Sequence, residues 1–422
     1  MDVTFCAYDR ANYVGGPNVW LRRLLPALRQ RGVSCRVLFI TVDAPTSCPN
    51  LQALSADGFD VRVVSGLRYT EDRVLWILRQ LAESPPDVFV PNLMVPGFYA
   101  GRWVREAGIP TVGVLHSDDE FHEGVQKEFV FGSAEYRLSA IVGVSHYIES
   151  RIRALNPSDM IVARLPYGVP VPSHVSGYAR QGPLRLVYSG RLVEEQKQIS
   201  QLSRSLCRAV KEVTNTEAVI YGDGPAKAMV TDILRRDGSG LPIRFAGSLD
   251  PAALQEELKG AHVFALLSDY EGLSIALMEA MAFGIVPICL RMRSGVPELI
   301  EHGVTGLLVD DRGDSFIAAV TQLRQNPELW MRLSRDARAR IESEYDSEIC
   351  SEKWLEFLKQ IANRPQGRKR VKLPKDVVLP PVSPQLARED RRREPLYTEL
   401  INKLSDKSLW IANRIRDRLS GA

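Results

Sequence analysis

Short apolar runs alternate along this chain with longer stretches in which apolar residues recur every three or four positions. Runs of four or five apolar residues bounded by turn formers read as strands buried on both faces, and the amphipathic stretches between them read as helices. In the first half the strand runs fall at 3–7, 36–40, 61–64, 88–90, 111–115, 140–144 and 161–165. In the second they fall at 184–188, 218–221, 243–246, 263–267, 286–290 and about 303–309. Helical spacing is expected from the glycine turn at Gly15 and Gly16 to Gln30, over 71–83, before the strand at 111, after Ser145, and over 314–325, 327–344 and 347–362. Such alternation predicts an α/β protein with parallel sheets covered by helices on both faces. A proline-rich, charge-poor stretch at 166–183 divides the series, so we expect a unit at 1–165, a linker, a second unit at 184–345 and a crossover helix at 346–363.

The densest chemistry lies in 263–290. A strand run leads through Asp269, Tyr270, Glu271 and Gly272 into a helix expected over 274–283, apolar nearly all round at Ile275, Leu277, Met278, Met281 and Phe283. Such a helix should be buried. Glu279 then stands where an unpaired carboxylate is costly and needs donors, which the two hydroxyls of a ribose would supply. The free N–H groups around Leu273 and Ser274 would suit a diphosphate. Glu271, in the loop, could reach hydroxyls beyond it. A capped buried helix with one structural glutamate would account for either acid alone.

The whole pattern, E-G-L-S-x-x-L-x-E-A-M from Glu271 through Glu279, resembles the paired-glutamate signature of retaining glycosyltransferases of family 4. That resemblance implies the GT-B fold, two Rossmann-like domains facing across a cleft. Other segments carry the likeness further. Gly190, Arg191, Leu192, Val193, Glu194, Glu195 and Lys197 follow a strand end, where Arg as a planar fork and Lys as a point charge can converge on a diphosphate. They look like the family's phosphate-binding loop, with Gln198 where a glycine is usual. Gly15 and Gly16 match the family's glycine-rich loop facing the donor phosphates and the acceptor. Gly222, Asp223 and Gly247, at two further strand ends, match loops that flank the nucleobase. His116 closes the strand at 111–115 and, by the resemblance, points at the donor sugar. The surrounding Asp118, Asp119 and His122 could also be read as metal ligands, without a spacing that dictates geometry. Tyr167-Gly168 stands where similar enzymes often have Asn-Gly.

Charge changes the picture at one end only. The net charge is +3, but residues 364–422 hold 15 Lys or Arg against 7 Asp or Glu, a net of +8, leaving −5 for 1–363. Residues 364–384 are basic and proline-rich, a poor candidate for packed structure. Over 395–419 apolar residues recur at helical spacing among Lys403, Lys407, Arg414, Arg416 and Arg418. Such a basic amphipathic helix suits an anionic membrane surface, self-association or docking on its own domains. No apolar run reaches the ~18–20 residues needed to span a bilayer. The start reads as a first strand and not a signal peptide. Six scattered cysteines without a C-x-x-C pair suggest buried thiols in a reducing cytoplasm, so a cytoplasmic protein is expected, peripheral on the inner face of the membrane if the tail binds there.

The expected activity is sugar transfer from a nucleotide-diphospho-sugar (UDP-, GDP- or ADP-linked) to a carbohydrate, lipid-linked or protein acceptor with retained configuration, in surface polysaccharide or glycoconjugate synthesis. Arg191, Lys197, Glu271 and His116 would carry the chemistry. Fixed cations would do a metal's work, so neither metal nor cofactor is expected, and no nucleic-acid partner. A nucleotide-sugar 2-epimerase of the same fold, or a binding-only protein, are the alternatives; transfer to an added acceptor separates them.

Overall fold

The computed structural model describes residues 1–11, 15–155, 160–178, 182–364 and 367–393. The segment at 395–419 lies outside these. In the first half the strands are β1 (Asp2–Asp9), β2 (Ser34–Thr41), β3 (Asp60–Ser65), β4 (Val88–Val90), β5 (Val112–Leu115), β6 (Ala140–Gly143) and β7 (Ile161–Arg164). They pair in parallel in the orders β3-β2-β1-β4 and β5-β6-β7, and a parallel bridge between Phe89 and Thr111 links the two sheets. The second half holds β8 (Leu184–Ser189), β9 (Thr216–Tyr221), β10 (Ile243–Gly247), β11 (Val263–Leu266), β12 (Val286–Leu290) and β13 (Leu307–Val309), parallel in the order β10-β9-β8-β11-β12-β13. Central strands β4, β5, β6 and β11 are buried at every position, as helices on both faces require.

This strand order positions the site. From β8 the chain moves outward to β9 and β10, then returns to the other side of β8 at β11, so the order reverses between β8 and β11. At such a switch point adjacent loops diverge and leave a crevice at the carboxyl ends of the strands. The loops after β8 and β11 line it, and β1 and β4 form the matching reversal in the first half.

Among the helices that the apolar pattern alone had not singled out are Pro49–Ala56, Glu120–Phe129, Ile199–Glu212 and Pro251–Leu258. In Ile199–Glu212 the buried Ile199, Leu202, Leu206, Ala209 and Val210 repeat every three or four residues, the stripe that seats it on its sheet. All six cysteines are buried and free.

The two halves are joined twice. Val169 N–H donates to the Tyr345 carbonyl (2.9 Å) and Ser347 N–H to the Val169 carbonyl (3.0 Å), so the outward and returning crossings are hydrogen-bonded side by side. Helix Ser347–Ala362 then packs on helix Gly16–Gln30, with Trp354 and Trp20 ring centroids 5.2 Å apart and Arg31 paired to Glu348 (2.6 Å) and Glu352 (3.0 Å).

Residues 367–393 correct the expectation that the basic, proline-rich stretch lacks packed structure. They form a strap across the first half. Lys369 N–H donates to the Ala107 carbonyl (2.9 Å), Arg368 pairs with Asp87, and the Val378 carbonyl accepts from Tyr136 Oη (3.0 Å). Leu386 is fully buried against helix Glu120–Phe129, where a Cβ on Gly124 would come within 2.8 Å of it. Arg392 pairs with the buried Asp390 and lies 4.7 Å over the Tyr99 ring. Polyproline segments form no backbone ladder of their own, so anchoring falls to side chains and isolated carbonyls.

Candidate donor site between the two halves

After β8 the chain turns at Gly190 and Arg191 into a single helical turn, Glu194–Lys197. Glu194 holds this turn on the following helix, accepting from Ser200 N (3.0 Å) and Ser200 Oγ (2.5 Å). Gln198 adopts the left-handed conformation (φ 47°, ψ 47°), the geometry a glycine would take without strain. Its amide donates to Asp269 Oδ2 (2.6 Å) and so ties the loop after β8 to the loop after β11.

Arg191, Lys197 and Glu271 come together there. Lys197 Nζ pairs with Glu271 Oε1, and both side chains are largely buried, 12% and 7% exposed. Gln196 completes the group: its Oε1 accepts from Arg191 Nη2 (2.9 Å), and its Nε2 donates to the Tyr270 carbonyl (3.1 Å) and approaches Glu271 Oε2 (3.5 Å). No sequence signal beyond its place between Arg191 and Lys197 marked Gln196. Burial, and after it the negative charge of Glu271, raises the Tyr167 and Tyr188 hydroxyls and the Cys289 thiol above their ordinary values.

Glycines let the strand ends close up. A Cβ on Gly222 (φ 140°) would overlap the Gly190 carbonyl oxygen, and Gly222 N–H donates to the Gly247 carbonyl (2.8 Å). The ends of β8, β9 and β10 are thereby drawn together. Asp223 points outward, accepting from Gly224 N (2.8 Å) and pairing with Lys227 (3.5 Å).

Helix Ile275–Ala282 is capped by Ser274, whose Oγ accepts from Leu277 N (3.4 Å), and it is buried as expected at Ile275, Leu277, Met278 and Met281; Leu273 is buried beside it. Glu279 differs from expectation. It is half-buried and ion-paired with Arg23 of helix Gly16–Gln30, so a side chain of the first half already answers its carboxylate. Gly16 approaches the same helix, since a Cβ there would lie 3.7 Å from Ile275 Cδ1. Gly15 caps its own helix through its carbonyl, which accepts from Asn18 and Val19 N–H (both 3.0 Å).

His116 also departs from expectation. The residue borders the cleft, where a Cβ on Gly272 would overlap its carbonyl oxygen. Its ring, however, turns into the first half: Nδ1 contacts Tyr167 Oη (2.6 Å), Nε2 contacts Asn92 Oδ1, and Trp20 packs edge-on with centroids 5.2 Å apart. The Asn92 oxygen can only accept, so Nε2 carries the proton and Nδ1 accepts from the tyrosine. Burial holds the ring well below the usual histidine range and therefore neutral. Both ring nitrogens are hydrogen-bonded within the first half. Asn92 and Tyr167, separated widely in sequence, decide this orientation.

The neighbouring acids serve structure. Asp119 caps helix Glu120–Phe129, accepting from His122 N (3.0 Å) and contacting His122 Nδ1 (2.6 Å), which holds its carboxyl down at about 2 against the opposing effect of burial. Asp118 accepts from Tyr147 Oη (2.9 Å) and pairs with Arg151. Among the described residues no group of three His, Cys, Asp or Glu is placed to hold a metal ion.

A second tie crosses the cleft at Glu298. Its Oε2 accepts from His146 N–H (2.8 Å), at the start of helix His146–Ala154, and stands 3.6 Å from Arg164 Nε. Burial raises its carboxyl above the ordinary value, opposed by Arg164.

Two halves of parallel sheet, with switch points facing one another across a glycine-lined, arginine- and lysine-bearing cleft, define the GT-B class. Comparison with known proteins agrees. The family profile described as "Glycosyl transferases group 1" matches residues 175–340, and "Glycosyl transferase 4-like domain" matches 15–168. The chain belongs to the family-4 type of GT-B glycosyltransferases. Among curated relatives, the amylovoran biosynthesis glycosyltransferase AmsK of Erwinia amylovora is 30% identical over 43% of this chain and 46% of its own length. The GDP-mannose-dependent alpha-(1-6)-phosphatidylinositol dimannoside mannosyltransferase of Mycobacterium tuberculosis is 26% identical over 57% of this chain and 66% of its own. These alignments span only part of each relative, about half for the first. Among solved structures, Anabaena HepE in complex with UDP and glucose superposes with a TM-score of 0.69 at 15% identity, covering 85% of this chain and 100% of HepE. The pneumococcal O-GlcNAc transferase GtfA in complex with UDP and GlcNAc gives 0.70 at 13% identity, over 86% of this chain and 99% of GtfA. Among the described residues no helix is long and apolar enough to cross a membrane.

Proposed function

We propose that this protein transfers a hexose-type sugar from a nucleotide-diphospho-sugar to an acceptor hydroxyl with retention of configuration, in the synthesis of a surface polysaccharide or glycoconjugate. The observation that carries the reading is the convergence of Arg191, Gln196, Lys197 and Glu271 at the β8–β11 switch point, opposite the first helix of the other half. The diphosphate would draw Arg191 and Lys197, and Glu279 would exchange Arg23 for the ribose hydroxyls. Cations fixed beside the leaving group stabilise charge where it develops. The sugar C1–O bond breaks with its electron pair passing to the departing diphosphate. The acceptor oxygen bonds to C1 from the same face, and its proton passes to a leaving phosphate oxygen. Glu271 would orient the sugar hydroxyls, while His116 shapes the cleft through its main chain. Gly222, Asp223 and Gly247 would flank the base. UDP is the first donor nucleotide to test, because HepE and GtfA are both described with it.

The test is titration with UDP of the wild type and of Glu279→Gln. A carboxylate accepting two hydroxyl hydrogen bonds contributes ~1.5–3 kcal/mol over a neutral acceptor, so the variant should bind at least about tenfold more weakly. Equal affinity in the two proteins would sink the ribose assignment. Incorporation of labelled sugar into an added acceptor separates transfer from epimerisation, which releases a free or altered sugar without acceptor.

A further inference from the structure

At the β8–β11 switch point one neutral side chain stands between groups of opposite charge. The Gln196 carbonyl accepts from Asp269 N–H (2.9 Å), which seats residue 196 against the loop after β11 through its main chain, whatever its side chain. The Arg191 main chain is fixed separately, its carbonyl accepting from the hydroxyl of the buried Tyr188 (2.9 Å). Between these anchors lie two cations and one carboxylate. Lys197 pairs with Glu271 Oε1, whereas among the described residues Arg191 pairs with no carboxylate; its Nη2 donates to Gln196 Oε1 (2.9 Å) instead. The other end of the same amide donates to the Tyr270 carbonyl (3.1 Å) and approaches Glu271 Oε2 (3.5 Å). These neighbours fix its orientation. A guanidinium can only donate and a carbonyl can only accept, so the amide oxygen must face Arg191 and the amide nitrogen must face Tyr270 and Glu271. Turning the amide over would set donor against donor and oxygen against oxygen. Opposite charges one amide apart at a partly buried site attract, and without the amide they would close on each other. An arginine that donates to a neutral oxygen keeps its charge for a phosphate; one forked onto a carboxylate does not.

We propose that Gln196 is a positioning residue of the donor site: its amide holds the Arg191 guanidinium beside Glu271 without letting the two pair, and so leaves that cation to the incoming diphosphate. The diphosphate rests on the sugar-transfer reading; the separation of Arg191 from Glu271 does not.

The full chain is titrated with UDP, which carries the diphosphate but no sugar and so does not call on Glu271 as a sugar contact. Gln196→Met, of nearly equal length, removes the amide and should bind UDP at least about tenfold more weakly, the guanidinium having closed on the carboxylate. In the Glu271→Gln background the same substitution should cost less than about threefold, since no carboxylate remains to draw Arg191. A residue that merely supports the loop would lose the same factor in both backgrounds. Gln196→Ala is the second variant, with thermal unfolding to verify that both fold. Urea unfolding gives a reading that needs no nucleotide. Arg191→Met and Glu271→Gln should be additive while Gln196 is in place, and coupled by at least about fivefold in the unfolding constant once Gln196→Met is added. The proposal is overturned if Gln196→Met binds UDP as the wild type does, if Glu271→Gln leaves its loss undiminished, or if the unfolding coupling is the same with and without the amide. A wild type that binds no UDP would instead count against the donor assignment, and the unfolding cycle would then decide the role of Gln196 by itself.

Discussion

Replacing Lys197 by Met removes the cation from a pair whose side chains are 12% and 7% exposed while retaining most of the aliphatic stem. Among the described residues the carboxylate of Glu271 would then be buried with only the Gln196 amide, at 3.5 Å, to answer it. Breaking one partner of a buried pair costs ~3–5 kcal/mol, and the remaining amide puts this case near the lower end, about 3 kcal/mol. Removing both charges, in Lys197→Met with Glu271→Gln, eliminates the stranded anion and should return stability to within about 1 kcal/mol of wild type, because desolvation of the pair offsets most of its attraction. The cycle therefore predicts strong non-additivity of about 2 kcal/mol or more. Urea unfolding followed by tryptophan fluorescence and by circular dichroism measures it, with coincident curves required before a free energy is assigned. UDP titration supplies the second axis: the double variant should regain stability without regaining affinity, since under the proposed function the diphosphate would have lost its lysine. A single variant within about 0.5 kcal/mol of wild type, or a strictly additive cycle, would refute the reasoning.

Three further outcomes are expected. Gln198→Gly relieves a left-handed conformation costing roughly 1 kcal/mol, so it should unfold at equal or higher urea despite losing the contact to Asp269; a loss above about 0.5 kcal/mol counts against strain there. His262, whose Nδ1 accepts from Arg185 N–H (2.9 Å), is pushed down to about 4 by burial. Its unfolded form takes up a proton first as pH falls, so stability present above about pH 6.5 is lost down to about pH 4, by up to about 3 kcal/mol, and His262→Asn should flatten that part of the profile. Gly124→Ala should press the strap away from helix Glu120–Phe129 and speed proteolytic cutting within 367–393, and Leu386→Ala, emptying a fully buried site, should do the same; unchanged digestion of both would mean that Leu386 does not anchor the strap.

The strands were legible because a parallel strand buried on both faces must be apolar at successive positions, as β6 and β11 are. The grouping of Arg191, Lys197 and Glu271 was legible in outline because each follows a strand that the topology sets beside the other. What escaped depends on distant partners. The half-exposed setting of Glu279 is decided by Arg23, 256 residues away, and the His116 ring by Asn92 and Tyr167, neither of which carries a local signal. The strap escaped for another reason: its buried apolar residues Val371 and Leu386 are sparse and without period, so composition alone reads as unpacked chain.

The return of the chain to its first half has a consequence for the order of synthesis. Trp20, only 3% exposed in the finished protein, owes part of its cover to Trp354, and Gly124 receives Leu386. Neither partner exists when β7 leaves the ribosome. At roughly 5–20 residues per second, about 10–40 s separate the appearance of β7 from that of helix Ser347–Ala362. During that interval the nascent first half presents an uncovered tryptophan face, a surface a chaperone would recognise. The second half, from β8 to β13, emerges within that interval, so the part of the chain made earliest is the last to be fully covered.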